Sequence, residues 1–207
     1  MIRLLLPVLV AATLISSAVA DERPVAANAK EAMPLKVGDT LPDVSVKDAA
    51  GKSVKLSTYH TDGPVVIVFF RGSWCPICNK HFQELNKIHP DVAKLGAKMV
   101  AISPDTVENS KGNSAKLKAP FPLLSDSDLV AAKAFGLAFQ VDDATITKYK
   151  GFGIDLEKAS GRDHHALPVP AVYIVDKSGQ ITFAHSNPDY TKRLDALTIL
   201  VELKKIP

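Results

Sequence analysis

Short apolar runs alternate with longer amphipathic stretches along most of the chain. Residues 65–70 (VVIVFF), 98–103 (KMVAIS) and 171–176 (AVYIVD) are apolar runs of strand length, each bounded by polar or turn residues. Runs of about four to eight residues rich in β-branched side chains are typical of buried strands. The pattern therefore predicts three central strands.

Two hairpins are predicted around these strands. Val44 and Val46, and then Val54 and Leu56, alternate with polar residues on either side of Gly51, which is the signature of a β-hairpin. The run at 171–176 is followed by a polar turn and by a second apolar stretch. This late hairpin adds antiparallel strands to the sheet.

Helical spacing fills most of the remaining chain. Apolar residues recur every three or four positions after Cys78, and Gly96 ends that pattern. Further helices are predicted over residues 107–118, from a cap at Ser125-Asp126 to Phe135, and over 194–203. Residues 136–166 are predicted to form an insertion with a helix at 142–149. We expect this insertion to border the active site, whose candidate residues are described below. The strand–helix–strand order predicts an α/β fold with a central mixed sheet flanked by helices.

The N-terminal stretch has the pattern of a secretory signal peptide. Arg3 precedes the apolar run 4–15, which is too short to span a bilayer comfortably, and Ala18-Val19-Ala20 forms a small-x-small cleavage site. We expect residues 1–20 to be removed, 21–36 to form a flexible leader and 37–207 to form one domain. An uncleaved anchor is the alternative. The expected location is outside the inner membrane, in the periplasm of a Gram-negative source.

Composition narrows the range of partners. The 207-residue chain carries a formal net charge of +3, close to neutral, so we expect no nucleic-acid partner. No stretch after the signal is apolar enough to cross a membrane. No cofactor is expected.

Cys75 and Cys78 are the only cysteines, and their spacing indicates redox chemistry. A Cys-x-x-C pair at the start of a helix brings both sulfurs within disulfide reach, and the helix N-terminus favours thiolate. Pro76 fits the first helical position, and Trp74 is expected to be half-buried beside the thiols. A zinc site that includes His81 and an inert disulfide are the alternatives.

The chain resembles the thioredoxin superfamily in this motif and in its order of elements. The resemblance implies a thioredoxin-like fold in which Pro170, just before the late buried strand, has a cis peptide bond and faces the two cysteines.

A closer resemblance is to the alkyl hydroperoxide reductase C / thiol-specific antioxidant family, that is, to the peroxiredoxins and peroxiredoxin-like proteins. It covers almost all of residues 37–203 and is carried by VGDTLPDVSVKDAAGKSVKL, VVIVFFRGSWCPICNKHFQEL, MVAISPD and AVYIVDKSGQI. It implies an antioxidant peroxidase whose cysteines are oxidised by a hydroperoxide and reduced again by a thioredoxin-type donor.

The motif departs from the family pattern Pro-x-x-x-Thr-x-x-Cys. Laid over this chain without gaps, the pattern places Arg71 at its proline, Cys75 at its threonine and Cys78 at its peroxidatic cysteine. The family's arginine falls near Pro170. Arg71 and Arg162 are the candidates to replace its charge, although a solvated surface position is the ordinary expectation for both.

Two other functions stay open. In a periplasmic thiol-disulfide oxidoreductase, Cys75 would be the more exposed thiol, would attack a protein disulfide, and Cys78 would resolve the mixed disulfide. In a copper-binding module, the thiolates would share the metal with one of the histidines His81, His164, His165 and His185.

Overall fold

A computed structural model describes residues 23–206, and the predicted signal peptide lies outside that range. A seven-stranded mixed sheet runs through the molecule in the order β2-β1-β5-β4-β3-β8-β9. The nine strands are β1 (Ser45–Lys47), β2 (Ser53–Lys55), β3 (Val65–Phe69), β4 (Lys98–Ser103), β5 (Leu123–Ser125), β6 (Ala138–Gln140), β7 (Ala166–Pro168), β8 (Ala171–Val175) and β9 (Ile181–Ser186). The helices are α1 (Pro76–Lys94), α2 (Val107–Leu117), α3 (Val130–Ala134), α4 (Asp143–Gly151), α5 (Leu156–Ser160) and α6 (Ala196–Leu203), with a 3-10 turn at Leu56–Tyr59.

The three predicted central strands are adjacent in the sheet. β3 pairs in parallel with β4, from Val65 opposite Lys98 to Phe69 opposite Ile102. On its other side β3 pairs antiparallel with β8. Both predicted hairpins form, as β1–β2 and β8–β9. The thioredoxin-like mixed sheet flanked by helices is therefore confirmed.

Strand β3 is buried on both faces because the two faces of the sheet carry separate cores. Its residues Val65, Ile67 and Phe69 point into one core, where Phe135 packs 4.8 Å from Phe69 between ring centroids. Its alternate residues point into the other core, which is covered by α1 and α6. Alternation of side chains along a strand explains why this run is apolar at every position.

The insertion at residues 136–166 has its own small sheet. β6 and β7 pair antiparallel, with Phe139 opposite Leu167, and enclose α4 and α5 between them. The predicted helix at 142–149 is α4. The pair β6–β7 was not predicted, because its two strands are joined by two helices rather than by a short turn that a sequence pattern would mark.

The predicted leader packs against the domain over part of its length. Leu35 is buried in the core, and its N–H donates to the Phe135 carbonyl. Ala26 donates to the Ala138 carbonyl and accepts from Gln140 N–H. Residues 23–36 therefore do not form the flexible leader that the sequence predicted. The buried Leu35 side chain and the backbone hydrogen bonds of Leu35 and Ala26 attach this segment to the domain.

Pro170 is not in the predicted conformation. No cis peptide bond occurs within residues 23–206, so the Val169–Pro170 bond is trans. The Pro170 carbonyl accepts from Asn187 N–H at 3.3 Å, which ties it to the segment after β9. The prediction of a cis bond rested on the thioredoxin superfamily and was wrong for this chain.

None of the helices within residues 23–206 is both long enough and apolar enough to cross a membrane.

Candidate active site

Cys75 and Cys78 lie where the chain leaves β3 and begins α1. Cys75 is the N-cap residue of α1, Pro76 follows it in the first turn as predicted, and both cysteines are free thiols. The Cys78 N–H donates to Cys75 Sγ at 3.4 Å. Both thiols are buried, Cys75 at 2% exposed and Cys78 at 1%, so Cys75 is the more exposed of the two by a small margin only.

The groups around the two thiols shift their pKa values in opposite directions. A hydrogen bond from the Cys78 side chain, together with the Cys78 N–H and the charges of Arg71 and Arg193, lowers the pKa of Cys75 to about 6. Burial raises the pKa of Cys78 well above its ordinary value, and the negative sulfur of Cys75 adds to this. The reduced pair therefore carries one negative charge at neutral pH, located on Cys75.

Arg71 is a buried cation enclosed by aromatic rings. Its guanidinium carbon lies 3.9 Å from the ring centroid of Tyr190, 5.1 Å from that of Trp74 and 5.4 Å from that of Tyr149, and its Nη2 donates to the Tyr149 hydroxyl. It is 4% exposed, so the expectation of a solvated arginine was wrong. Cation–π contacts stabilise the charge beside Cys75 without neutralising it.

Arg193 is a second cation at the site, and sequence reasoning missed it. Its Nη2 donates to Cys78 Sγ at 3.2 Å. It comes from the segment between β9 and α6, 115 positions away in sequence. No local signal in the sequence marks it, because one arginine in a polar turn reads as a surface residue. Arg162, the other candidate, forms an exposed ion pair with Asp128.

Asp105 is a buried carboxyl group next to the thiols and was also missed. Its Oδ2 accepts from Ser73 N–H at 2.7 Å and from Ser103 Oγ at 3.0 Å, while Oδ1 has no partner within the described residues. Burial raises its pKa to about 6. Asp105 fixes the turn between β3 and α1 because it accepts the N–H of Ser73.

Trp74 and Pro170 line two different cavities near the site. Trp74 is half-buried, as predicted, and its ring packs 5.6 Å from that of Tyr149. Pro170 lies at a small cavity that His81 and Arg193 also line. Pro170 is thus close to a residue that contacts Cys78, although its peptide bond is trans.

Of the histidines proposed as copper ligands, His81 and His185 line one small cavity, whereas His164 and His165 lie in the insertion. His81 is buried on α1, and burial lowers its pKa to about 4. His164 bonds to the Ser127 carbonyl and His165 to Glu157. Residues 23–206 contain no group of three or more His, Cys, Asp or Glu side chains arranged to hold a metal ion. The geometry suits thiol chemistry and offers no cluster for zinc or copper in that range.

Comparison with known proteins agrees with this geometry. Residues 37–184 match the model of the AhpC/TSA family. A putative peroxiredoxin of Mycobacterium tuberculosis is 35% identical over 106 residues, which are 50% of this chain and 67% of that protein. The chloroplastic peroxiredoxin Q of Sedum lineare is 29% identical over 150 residues, covering 72% of this chain and 68% of that protein.

Among solved structures, peroxidoxin BcpB of Mycobacterium tuberculosis superimposes with a TM-score of 0.65 at 23% identity. The superposition covers 84% of this chain and 99% of that one. This structural likeness supports the fold. The family match and the sequence relatives together show that the chain belongs to the AhpC/TSA family, the family of the peroxiredoxins, and is a thiol-dependent oxidoreductase.

Proposed function

We propose that this protein is an exported peroxidase that reduces hydroperoxides through Cys75 and Cys78 and is reduced again by a thioredoxin-type donor. The observation that carries the proposal is a thiolate held at Cys75 beside a buried second thiol and two arginines. Relatives named as peroxiredoxins support the choice of a peroxide as substrate.

In the first step, the Cys75 thiolate attacks the terminal oxygen of the hydroperoxide. The O–O bond breaks, sulfur is oxidised by two electrons to a sulfenic acid, and the leaving alkoxide takes a proton from the Cys78 thiol. The products are Cys75 sulfenic acid, an alcohol and a Cys78 thiolate. Arg193 stabilises that thiolate because it already donates to Cys78 Sγ.

In the second step, the Cys78 thiolate attacks the Cys75 sulfur. The S–O bond breaks, a disulfide forms, and the hydroxide released takes up a proton to become water. A thioredoxin-type dithiol then returns two electrons and two protons to the pair by thiol–disulfide exchange.

The test is a stopped-flow experiment on the reduced protein mixed with hydrogen peroxide. Trp74 is the only tryptophan and precedes Cys75, so its fluorescence reports oxidation of that sulfur. We expect a fast, peroxide-dependent phase in the wild type and in Cys78→Ser, and none in Cys75→Ser. A fast phase that is kept in Cys75→Ser and lost in Cys78→Ser would show that Cys78 is the cysteine that attacks the peroxide. Oxidation at the rate of an ordinary thiol would refute the peroxidase.

Exchange with protein disulfides is the second candidate function. It is favoured by the Cys-x-x-C spacing together with a lowered pKa at the first cysteine, the combination that thiol–disulfide exchange requires. A slow reaction with peroxide, combined with rapid reduction of a disulfide-bonded test protein, would select this function over the peroxidase.

Export is proposed on the signal-like pattern of residues 1–20 alone. Expression of the full chain in a Gram-negative host, followed by release of the periplasmic contents and mass spectrometry of the N-terminus, tests it. A mature chain beginning at Asp21 is the expected product. Retention of Met1 in the cytoplasmic fraction would contradict export.

A further inference from the structure

An open groove lies beside the thiol pair, between the first half of α1 and the segment before α6. Its volume is about 510 Å³, and its lining residues are Ile77, Lys80, His81, Glu84, Thr191, Arg193, Leu194 and Asp195. We call it the α1–α6 groove. Volumes of this order hold small organic ligands in proteins.

The groove leads to Cys78. Arg193 lines the groove and at the same time donates to Cys78 Sγ at 3.2 Å. Ile77, another lining residue, lies between the two cysteines in sequence. Arg193 is therefore the side chain that connects the groove to the second sulfur.

Three charged side chains of the groove form no ion pair among the described residues. No ion pair among the residues that the structure describes includes Lys80, Glu84 or Arg193. Lys80 and Glu84 do not pair with each other although they lie one turn apart on α1. His81 is 6% exposed, and its Nε2 has no hydrogen-bond partner in residues 23–206. The Arg193 Nε is likewise buried without a partner in that part of the chain. Buried polar nitrogens without partners are uncommon and indicate a missing ligand or water.

The groove thus presents two cations, two carboxylates and an apolar floor of Ile77 and Leu194. A ligand complementary to it carries both charge signs and is small. Turnover of the proposed peroxidase requires the return of two electrons to the oxidised cysteines. Two molecules of a small thiol can supply those electrons when their two sulfurs become joined in a disulfide.

We propose that the α1–α6 groove binds a low-molecular-weight thiol that carries both an ammonium and a carboxylate group, and that this thiol reduces the Cys75–Cys78 disulfide. The inference rests on the proposed function, since turnover must leave that disulfide. It adds reduction by a small molecule to the reduction by a thioredoxin-type protein proposed above.

The exchange follows from the positions of the sulfurs. The thiolate of the ligand attacks Cys78 Sγ, the S–S bond breaks, and Cys75 leaves as a thiolate. The thiol with the lower pKa leaves faster, and in this pair that thiol is Cys75. A second thiolate attacks the ligand's sulfur in the mixed disulfide, which releases the ligand disulfide and a Cys78 thiolate that takes a proton. Two small thiols are oxidised for each protein disulfide reduced.

The test starts from protein whose disulfide has been formed chemically with diamide, so that it does not depend on any reaction with peroxide. Rates of disulfide reduction are followed by Trp74 fluorescence with glutathione, which carries both charges, with cysteamine, which carries only the cation, and with 3-mercaptopropionate, which carries only the anion. Each rate constant is expressed per thiolate. We expect the rate with glutathione to saturate with concentration.

Charge reversals identify the groove. Lys80→Glu should slow 3-mercaptopropionate about three- to fivefold and speed cysteamine, because one partly exposed ion pair contributes up to about 1 kcal/mol. Glu84→Lys should do the reverse, and both variants should slow glutathione. Lys87→Glu is the matched control, because it makes the same charge change at an exposed position of α1 outside the groove.

Two results would overturn the inference. One is an equal change in the reduction rates with Lys87→Glu and with Lys80→Glu, which would show that the rates depend on the overall charge of the protein and not on the groove. The other is the same ratio of the three thiols in the wild type and in both groove variants. Either result leaves the peroxidase intact, because the stopped-flow test with hydrogen peroxide decides that function separately.

Discussion

At the scale of single residues, the site depends on two arginines near the sulfurs that form no ion pair with a carboxylate among residues 23–206. Arg71 is balanced by three aromatic rings, and Arg193 bonds to Cys78 Sγ. A carboxylate paired with either arginine would draw its charge away from the thiols. Both charges therefore act on the thiols and lower the pKa of Cys75.

The lowered pKa of Cys75 predicts how the reduced protein responds to pH. Because the pKa is about 6, well under the value of about 8.5 for a free thiol, thiolate forms as pH rises through about 6. The thiolate absorbance at 240 nm and the rate of alkylation by iodoacetamide should both rise there and then level off. This charge stabilises the fold above the unfolded-state pKa, and that stabilisation is lost as pH falls through about 6. A first titration near 8.5 would contradict the assignment.

Arg193→Gln tests the second arginine. The substitution removes a charged donor from Cys78 Sγ, a bond of the class that contributes about 1.5–3 kcal/mol, so formation of the disulfide should slow at least tenfold. The measurement is the second fluorescence phase after addition of peroxide. Lys192→Gln is the control, since this neighbouring cation is exposed and makes no hydrogen bond to either sulfur. Equal slowing in both variants would argue against a direct role.

At the scale of the elements, the sheet positions the site, and capping side chains fix the starts of the helices. Cys75 caps α1, Thr106 caps α2, and Asp126 accepts the N–H groups of Ala131 and Ala132 at 3.0 and 2.8 Å at the start of α3. The sequence analysis predicted Asp126 as a cap. Its carboxylate is buried, and burial raises its pKa to about 7.

Asp126 predicts a stability change with a distinctive pH dependence. Asp126→Ala leaves two buried N–H groups without acceptors and should cost about 1–3 kcal/mol in the free energy of unfolding. Asp126→Asn keeps one acceptor oxygen and should cost less. Because the folded pKa lies above the unfolded one, the contribution of Asp126 is largest at low pH and declines as pH rises through about 7.

Urea unfolding of the wild type and both variants at pH 5 and pH 8 measures the effect. The difference between wild type and Asp126→Asn should shrink, or change sign, at pH 8. A difference that grows with pH would show that the carboxyl group titrates below its ordinary value in the folded protein.

At the scale of the whole molecule, segments far apart in sequence close over the core. Residues 23–36 lie against the insertion, where a Cβ on Gly136 would clash with the Met33 carbonyl oxygen. Gly136 has φ of +66°, so glycine fits both the backbone conformation and the close approach there. The leader and the insertion therefore pack as one unit.

Removing residues up to 36 should destabilise the protein. The truncation exposes the pocket of Leu35 and breaks three backbone hydrogen bonds, one from Leu35 to Phe135 and two between Ala26 and the insertion. The expected loss is about 3 kcal/mol or more. A chain beginning at residue 23 is the control, and thermal unfolding of both is the measurement. Equal unfolding temperatures would restore the flexible leader that the sequence predicted.

The sequence by itself determined the parts of this protein that depend on local periodicity. Apolar runs of strand length identified β3, β4 and β8, and the spacing of Cys75 and Cys78 placed a thiol pair at the start of α1. These features are readable because a strand repeats every two residues and a helix every 3.6, so each signal lies within a short window.

Only the tertiary structure decided which groups act on the thiols and what covers them. Arg193, Asp105 and the aromatic rings around Arg71 come from segments remote in the chain, and no local pattern marks them as neighbours of Cys75. The trans bond at Pro170 and the packed leader were likewise beyond the sequence, because each follows from contacts across the fold. Local periodicity specifies secondary structure, whereas the pKa of a buried thiol depends on the groups that folding brings around it.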